Sequence, residues 1–139
     1  ALSLARRLGL SLNLDLKTPL AAEPCAILCV QAGMAGRCHF SGLYPEDAAK
    51  VAGLRLPVRH LLNVPADLAA QPVQAVDKAL ALNAFGLNLQ HSLITQNLVE
   101  RAHRSFLWVW AWTVNDPAQA ERLASLGVNG ITTRGFAAE

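Results

Sequence analysis

The part of the sequence that most restricts the fold is a β-α-β pattern near the carboxyl end. Residues 107–114 form an apolar run of β-branched and aromatic residues, which is typical of a buried strand. Asn115 or Asp116 then offers a helix cap, Pro117 suits the first helical position, and a glycine at 127 ends a helix over residues 118–125. Residues 128–132 are the next predicted strand. Because so short a helix joins them, the two strands must be parallel neighbours.

The same alternation of strand and helix extends along the whole chain. Predicted strands lie at residues 10–17, 37–41, 58–64, 86–90, 107–114 and 128–132. Predicted helices lie between and before them, at residues 2–8, 19–35, 44–52, from about 66 to 84, 95–104 and 118–125. Strict alternation indicates a parallel α/β sheet. With 139 residues and 53% hydrophobic content, the chain can bury one core, and we predict a single domain over residues 1–139.

The first predicted strand alternates between leucines and polar residues. In a parallel barrel both faces of a strand are covered, so we expect the leucines to face the helices and the polar set to point into the barrel. Asp15 and Lys17 fall at the carboxyl end of this strand, which is the edge where barrels of this type carry their active sites. The sequence therefore places two charged groups at a candidate site.

Two motifs near the carboxyl end resemble the glycerophosphodiester phosphodiesterase family. Trp112-Thr113-Val114-Asn115 is similar to the W-T-V-N strand of that family, and residues 127–133 are similar to its G-V-x-G-I-x-T-D strand, with Arg134 where the family usually has Asp. The family has a (β/α)8 TIM barrel. The resemblance therefore implies a partial TIM barrel built from parallel strands three to eight, and metal-dependent hydrolysis of glycerophosphodiesters in lipid metabolism.

The resemblance also implies roles for individual residues. Asn13-Leu14-Asp15-Leu16-Lys17 is similar to the N-x-E-x-K strand of the family, so Asp15 is the expected ligand of a divalent metal, Ca²⁺ or Mg²⁺, and Lys17 the expected catalytic residue. The alternative is an Asp15–Lys17 ion pair that closes the barrel mouth. Trp112 and Asn115 are the expected substrate-binding residues, whereas Trp108 and Trp110 are expected to fill the core.

The other catalytic elements of the family do not occur in this sequence. The family carries an H-R-G motif, an E-x-D pair and a second histidine ahead of the strand that matches residues 10–17. None of the histidines here precedes Arg-Gly, and only His91, just past a strand end, is placed to face the site. We therefore expect no hydrolysis from this chain alone and leave its status as an enzyme open. The alternative is a non-catalytic binding or oligomerisation module derived from the family.

The amino-acid composition restricts the classes of binding partner and the cellular compartment that we expect. The net charge of +2 without a basic cluster argues against nucleic acid, and no apolar run reaches the roughly 18 residues of a membrane span. The three cysteines are expected to be buried thiols rather than a metal site, which favours a reducing compartment, the cytoplasm. A small glycerophosphodiester-type molecule is the expected ligand.

The number of predicted strands has a consequence for the oligomeric state. A barrel of this type closes with eight strands, so six leave open edges at residues 10–17 and 128–132. Exposed strand edges are adhesive. We therefore expect a homo-oligomer, or a companion segment that supplies the missing strands.

Overall fold

A computed structural model describes residues 1–135, which form one parallel sheet with helices between its strands. The six strands are β1 (Leu12–Asp15), β2 (Cys38–Leu43), β3 (Arg59–Asn63), β4 (Gly86–Gln90), β5 (Trp108–Trp112) and β6 (Gly130–Ile131). The helices are α1 (Leu2–Arg7), α2 (Ala22–Gln31), α3 (Pro45–Gly53), α4 (Ala66–Ala69), α5 (Pro72–Ala81), α6 (Gln96–Arg104) and α7 (Pro117–Ser125). Each strand pairs in parallel with the next one in the chain. The predicted alternation and strand direction are confirmed.

The two faces of the sheet differ in character. The face toward the helices carries the apolar core, in which Phe40, Leu62 and Leu87 are fully buried. Leu12 and Leu14 of β1 are half-buried and pack against this core, as the leucine alternation predicts. The opposite, inner face carries the polar residues of β1, which lie beside those of β2 in the register Asp15 to Ser41. Polar side chains therefore collect on the inner face.

Three helix features follow the sequence prediction closely. The Thr95 side chain accepts a hydrogen bond from the Leu98 backbone N–H at 3.3 Å and begins α6. On the same helix, Glu100 and Arg104 form the expected pair one turn apart, at 3.5 Å. Asp116 accepts from the Ala118 backbone N–H at 3.1 Å and begins α7. Side-chain caps thus begin both α6 and α7, the two helices on either side of β5 in the sequence.

Three predicted boundaries are wrong. The long helix predicted from about residue 66 to 84 is interrupted, because Gln71 precedes a proline and leaves the helical region at φ −125° and ψ 75°. The strand predicted over residues 10–17 ends at Asp15, so Lys17 lies beyond it. The last strand is only Gly130–Ile131.

No helix among residues 1–135 is long and apolar enough to cross a bilayer.

The prediction that Trp108 fills the core is wrong. Its side chain is 45% exposed on the inner face, where its ring meets that of Phe85 at 5.9 Å between centroids. Trp110, on the same face, is half-buried, contacts the His39 ring at 5.2 Å and donates a hydrogen bond to Thr132 Oγ1 at 3.1 Å. Trp108 is the first residue of β5, so this exposure lies at the amino-terminal end of the strand.

The cysteines lie where buried thiols were predicted. Cys29 and Cys38 are buried and Cys25 is half-buried, and all three are free. Burial, reinforced by a hydrogen bond to the Cys38 thiol, raises the pKa of Cys29 to about 11. A protonated, buried thiol is a poor nucleophile, so we assign no reactivity to Cys29. Cys29 and Cys38 belong to the hydrophobic core, and Cys25 packs against it.

Phe106 occupies a backbone position that favours glycine. It follows α6 with φ +58° and a side chain that is 93% exposed. The left-handed conformation costs a non-glycine residue about 1–2 kcal/mol, and glycine recovers most of this cost. We expect Phe106→Gly to raise the free energy of unfolding by about 1 kcal/mol in urea titration. Phe106→Ala, which keeps the Cβ, is the matched control and should change it little; a glycine variant no more stable than the alanine variant would contradict the explanation.

Two histidines make stability depend on pH. Burial lowers the pKa of His60, with partial compensation from the Leu82 carbonyl, and burial together with Arg59 lowers the pKa of His39. Between these lowered values and the unfolded value near 6.5, the unfolded chain binds more protons. We therefore expect full stability above pH 6.5 and a progressive loss as the pH falls below it, measured by thermal unfolding. His60→Leu should reduce the loss, and equal melting temperatures at pH 7.5 and 5 would contradict this.

Candidate functional site

A pocket of about 600 Å³ opens at the carboxyl ends of the strands. Its walls come from the ends of β1 to β5 and from the segment that follows β6. Parallel strands end at the same edge, which is why residues far apart in the sequence meet there. The lining divides into a charged rim, defined as Asp15, Lys17, Asp47 and Arg134, and a polar floor, defined as Ser41, Asn63, Asn88 and Trp112.

The rim contains the Asp15–Lys17 ion pair, which is the predicted alternative to a metal-binding role for Asp15. Lys17 Nζ contacts the Asp15 carboxylate directly, and both side chains are largely exposed. Exposed pairs of this kind contribute little to stability, so the pair is easily rearranged by a ligand. Asp47 is paired with Lys50 at 3.1 Å. The structure thus brings Asp15 and Lys17 together at the mouth without assigning either to a ligand.

Gly42 allows the backbone to approach Asp15. It has φ +86°, and a Cβ added there would lie 2.3 Å from the Leu16 carbonyl oxygen and 2.5 Å from Asp15 Oδ1. The register between β2 and β3 shifts between Phe40 and Leu43, so β2 carries an irregularity at this point. Such irregularities re-aim strand ends next to functional sites. Here the shift places a glycine against the Asp15 carboxylate.

Two buried asparagines of the floor were not predicted as site residues. Asn63 ends β3 and Asn88 lies in β4; they are 7% and 6% exposed. Asn63 Oδ1 accepts hydrogen bonds from the Gly42 backbone N–H at 3.1 Å and from Asn88 Nδ2 at 2.8 Å. A signal for Asn88 exists in the sequence, since it alternates with Leu87 and Leu89 as a polar residue in an apolar strand.

The other predicted residues are placed as follows. Trp112 lines the pocket and is half-buried. Asn115 lies outside the lining set; its Oδ1 accepts from the Arg134 backbone N–H at 3.0 Å and lies 3.4 Å from the Thr133 hydroxyl, so it shapes the segment after β6. His91 lies in the short helical turn after β4 and does not line the pocket, although it was considered as a site residue.

The described residues do not form a metal site on their own. Within residues 1–135, no group of three or more His, Cys, Asp or Glu side chains is placed to hold a metal ion. The Asp15 carboxylate is one candidate ligand, and it is paired with Lys17. Ca²⁺ takes six to eight oxygen ligands, and Mg²⁺ takes six, of which usually one or two are protein carboxylates free to bind it. The residues present therefore do not fit a bound Ca²⁺ or Mg²⁺ without further ligands.

Comparison with known proteins decides the family. The model of the glycerophosphoryl diester phosphodiesterase family matches residues 38–134, which include β2 to β6 and most of the pocket. The chain belongs to this family. No curated protein matches the sequence significantly.

Solved structures of the family share the fold at low sequence identity. A protein from Silicibacter pomeroyi assigned as a glycerophosphoryl diester phosphodiesterase superposes with a TM-score of 0.75 at 19% identity, over 95% of this chain and 50% of its own. The glycerophosphodiester phosphodiesterase of Parabacteroides distasonis gives 0.67 at 21% identity, over 95% and 57%. A phosphodiesterase of Oleispira antarctica, in complex with the product sn-glycerol-3-phosphate, gives 0.67 at 21% identity, over 92% and 53%.

These likenesses confirm the predicted fold class. The six parallel strands and their helices form part of a (β/α)8 TIM barrel. The chain spans about half the length of the structures it matches. This chain supplies the strand ends that form the pocket, and Trp112 and Thr113 of the W-T-V-N motif are in the lining.

Proposed function

We propose that the pocket is a binding site for a glycerophosphodiester-type molecule. The observation that carries this proposal is the meeting of the N-x-D-x-K strand and the W-T-V-N strand at one pocket of about 600 Å³. That volume suits a small organic ligand. The rim offers Lys17 and Arg134 as cations for a phosphoryl group. The product in the Oleispira antarctica structure, sn-glycerol-3-phosphate, is the glycerol phosphate portion of such a diester.

Each predicted residue has a proposed role in this site. Lys17 is proposed to neutralise the phosphoryl oxygens, in a catalytic role when the full set of groups is present. The Trp112 ring is proposed to cover the apolar side of the alcohol, and Asn115 to support the rim by holding the Arg134 backbone. Asp15 is proposed as a ligand of Ca²⁺ or Mg²⁺ only where carboxylates from outside this chain's residues complete the site.

Hydrolysis is the proposed activity of the complete barrel and not of this chain alone. Phosphodiester cleavage by this family is expected to use an acid–base histidine pair and further carboxylates. Among the described residues, the pocket lining holds no histidine, and its two carboxylates, Asp15 and Asp47, are paired with lysines. We expect glycerophosphocholine to remain intact when incubated with the chain and Mg²⁺ or Ca²⁺. Turnover that disappears in Asp15→Ala but persists in Asp67→Ala, an exposed site on α4, would overturn this and indicate an active site rebuilt between chains.

Oligomerisation is the second candidate, and one observation favours it. β1 and β6 are the edges of the sheet, and beside β1 the side chain of Leu10 is 51% exposed. Unpaired edges and exposed apolar side chains promote association. We propose a homo-oligomer, or a companion segment that adds the remaining strands. Light scattering at micromolar concentration should give at least twice the chain mass of 14.9 kDa, and a cooperatively melting monomer would contradict it.

Cellular context completes the proposal. Three free cysteines, two of them buried, are consistent with a reducing compartment, and we propose the cytoplasm. Glycerophosphodiesters are deacylated phospholipids, so we propose a role in lipid metabolism.

A further inference from the structure

The connections at the amino ends of the strands, opposite the pocket, share one backbone feature. Each of the six segments that join a helix to the next strand contains a residue in the left-handed region, with φ between +49° and +86°. In chain order, these residues are Gly9, Gly33, Arg55, Asn83, Phe106 and Gly127. Glycine adopts this conformation freely and asparagine tolerates it, whereas it strains other residues. Arg55 and Phe106 are therefore the two strained residues among six equivalent turns.

The side chains of Arg55 and Phe106 add little to the fold that strains their backbone. The Phe106 ring is 93% exposed, so it gains almost nothing from the core. Arg55 is exposed and forms no ion pair with a carboxylate of residues 1–135. Glycine would suit the backbone better at either turn. Both side chains are thus available to a partner outside the described residues.

The two turns flank a cluster of side chains in direct contact at the amino ends of β3 to β5. The Arg59 guanidinium lies 4.5 Å from the centre of the Phe85 ring, and that ring lies 5.9 Å from the Trp108 ring. Arg59 is exposed and Trp108 is 45% exposed. Arg55 is four residues before Arg59 in the chain, and Phe106 is two residues before Trp108. We call these four exposed residues, Arg55, Arg59, Phe106 and Trp108, the amino-end surface.

The amino-end surface carries positive charge without negative charge. None of the six helix-to-strand segments contains Asp or Glu, and Arg59, like Arg55, has no ion-pair partner within residues 1–135. The acidic residues at the helix starts lie at the pocket end instead; they are Glu23, Glu46, Asp47, Asp67 and Asp116. The net charge of the chain is only +2, so the fold separates the charges and gives the amino end a positive potential.

An anionic membrane surface suits these groups better than two other classes of partner. Arginines are attracted to anionic headgroups, and exposed aromatic rings favour the headgroup level of a bilayer. Leu54, next to Arg55, is 48% exposed and adds an aliphatic group, which offers no stacking face to a nucleobase. A two-fold contact between copies of this chain would bring the arginines of both copies together, and like charges in an interface are unfavourable.

We propose that the amino-end surface docks the protein on the face of an anionic phospholipid bilayer. The Phe106 and Trp108 rings enter the headgroup layer, and Arg55 and Arg59 bind its phosphate and carboxylate groups. Because the surface lies at the opposite end of the strands from the pocket, the pocket mouth stays open to solution in the docked protein. The docking does not depend on what the pocket binds.

Flotation of the full chain with lipid vesicles tests the proposal. One set of vesicles contains equal amounts of phosphatidylcholine and phosphatidylserine, and the other contains phosphatidylcholine alone. We expect binding to the anionic vesicles to be at least about tenfold stronger, and to weaken at high salt. Arg55→Gln and Arg59→Gln should each reduce it about fivefold. Phe106→Ala should reduce it about five- to tenfold.

Two variants at the pocket end are the matched controls. Arg134→Gln removes the same charge, and Leu20→Ala removes a side chain that is 84% exposed, so both should leave vesicle binding unchanged. Phe106→Gly should lose as much binding as Phe106→Ala. Since the glycine variant is expected to be more stable than the wild type, unfolding would not account for its loss of binding.

Several results would overturn the proposal. Absence of vesicle binding, equal binding to both vesicle types, or Phe106 variants that bind like the wild type would each do so. Weaker binding by Arg134→Gln would mean that the pocket end meets the membrane. A thymidine oligonucleotide that binds the chain through Phe106 when vesicles do not would identify a nucleic-acid surface instead. A mass that falls only in the Phe106 variants, without vesicle binding, would identify a contact between copies.

Discussion

The Gly42→Ala variant is expected to lose about 2–4 kcal/mol of unfolding free energy. The backbone at Gly42 has φ +86°, where an alanine is strained, and its Cβ would lie 2.3 Å from the Leu16 carbonyl oxygen. Neither the strand end nor the backbone of residue 16 can move without breaking the β1–β2 pairing, in which Leu16 N donates to the Ser41 carbonyl at 2.8 Å. Urea unfolding followed by far-UV circular dichroism measures the loss.

Gly36→Ala is the matched control for this variant. A Cβ at Gly36 meets nothing within 4 Å, and its backbone does not have a positive φ. We expect this control to change the unfolding free energy by less than about 0.5 kcal/mol. Equal stabilities for the two variants would mean that the approach of the Gly42 backbone to Leu16 and Asp15 is not as close as the structure shows.

Phe40→Ala should destabilise the fold by about 3–5 kcal/mol. The Phe40 side chain is completely buried between β2 and the helices, and removing it leaves a cavity that the surrounding core cannot fill. Against a typical total of about 5–15 kcal/mol, this loss leaves a large share of the chain unfolded. Leu20→Ala, at a side chain that is 84% exposed, should cost less than about 0.5 kcal/mol. A Phe40 variant as stable as the Leu20 variant would contradict the assignment of this face as the core.

Periodicity explains why so much of the fold could be predicted from the sequence. The apolar run at residues 107–114 and the proline and glycine around α7 specify a β-α-β unit through local rules alone. The leucine alternation of β1 specifies which side of that strand meets the helices. Position relative to a strand end then placed Asp15 and Lys17 at the pocket mouth.

The parts that could not be predicted depend on tertiary register. Asn63 and Asn88 are 25 positions apart, and nothing in either strand shows that β3 and β4 place them within hydrogen-bond distance. Trp108 is exposed although it shares its face with the half-buried Trp110, a difference that periodicity within one strand does not report. The interruption before Pro72 has instead a local cause, because the residue before a proline is disfavoured in the helical region and Gln71 leaves that region.

The central claim is that the pocket at the strand ends binds a phosphorylated alcohol against Trp112, and tryptophan indole signals test it most directly. The chain has three tryptophans, so a ¹⁵N-labelled sample gives three indole N–H resonances, and Trp112→Phe identifies one of them by its loss. Trp112 Nε1 has no partner among the described residues, whereas Trp110 Nε1 donates to Thr132 and Trp108 lies at the other end of β5. During titration with sn-glycerol-3-phosphate, the Trp112 signal should move in a saturable way while the Trp108 signal stays in place. Three unmoved indole signals at saturating ligand, or a shift confined to Trp108, would contradict the account.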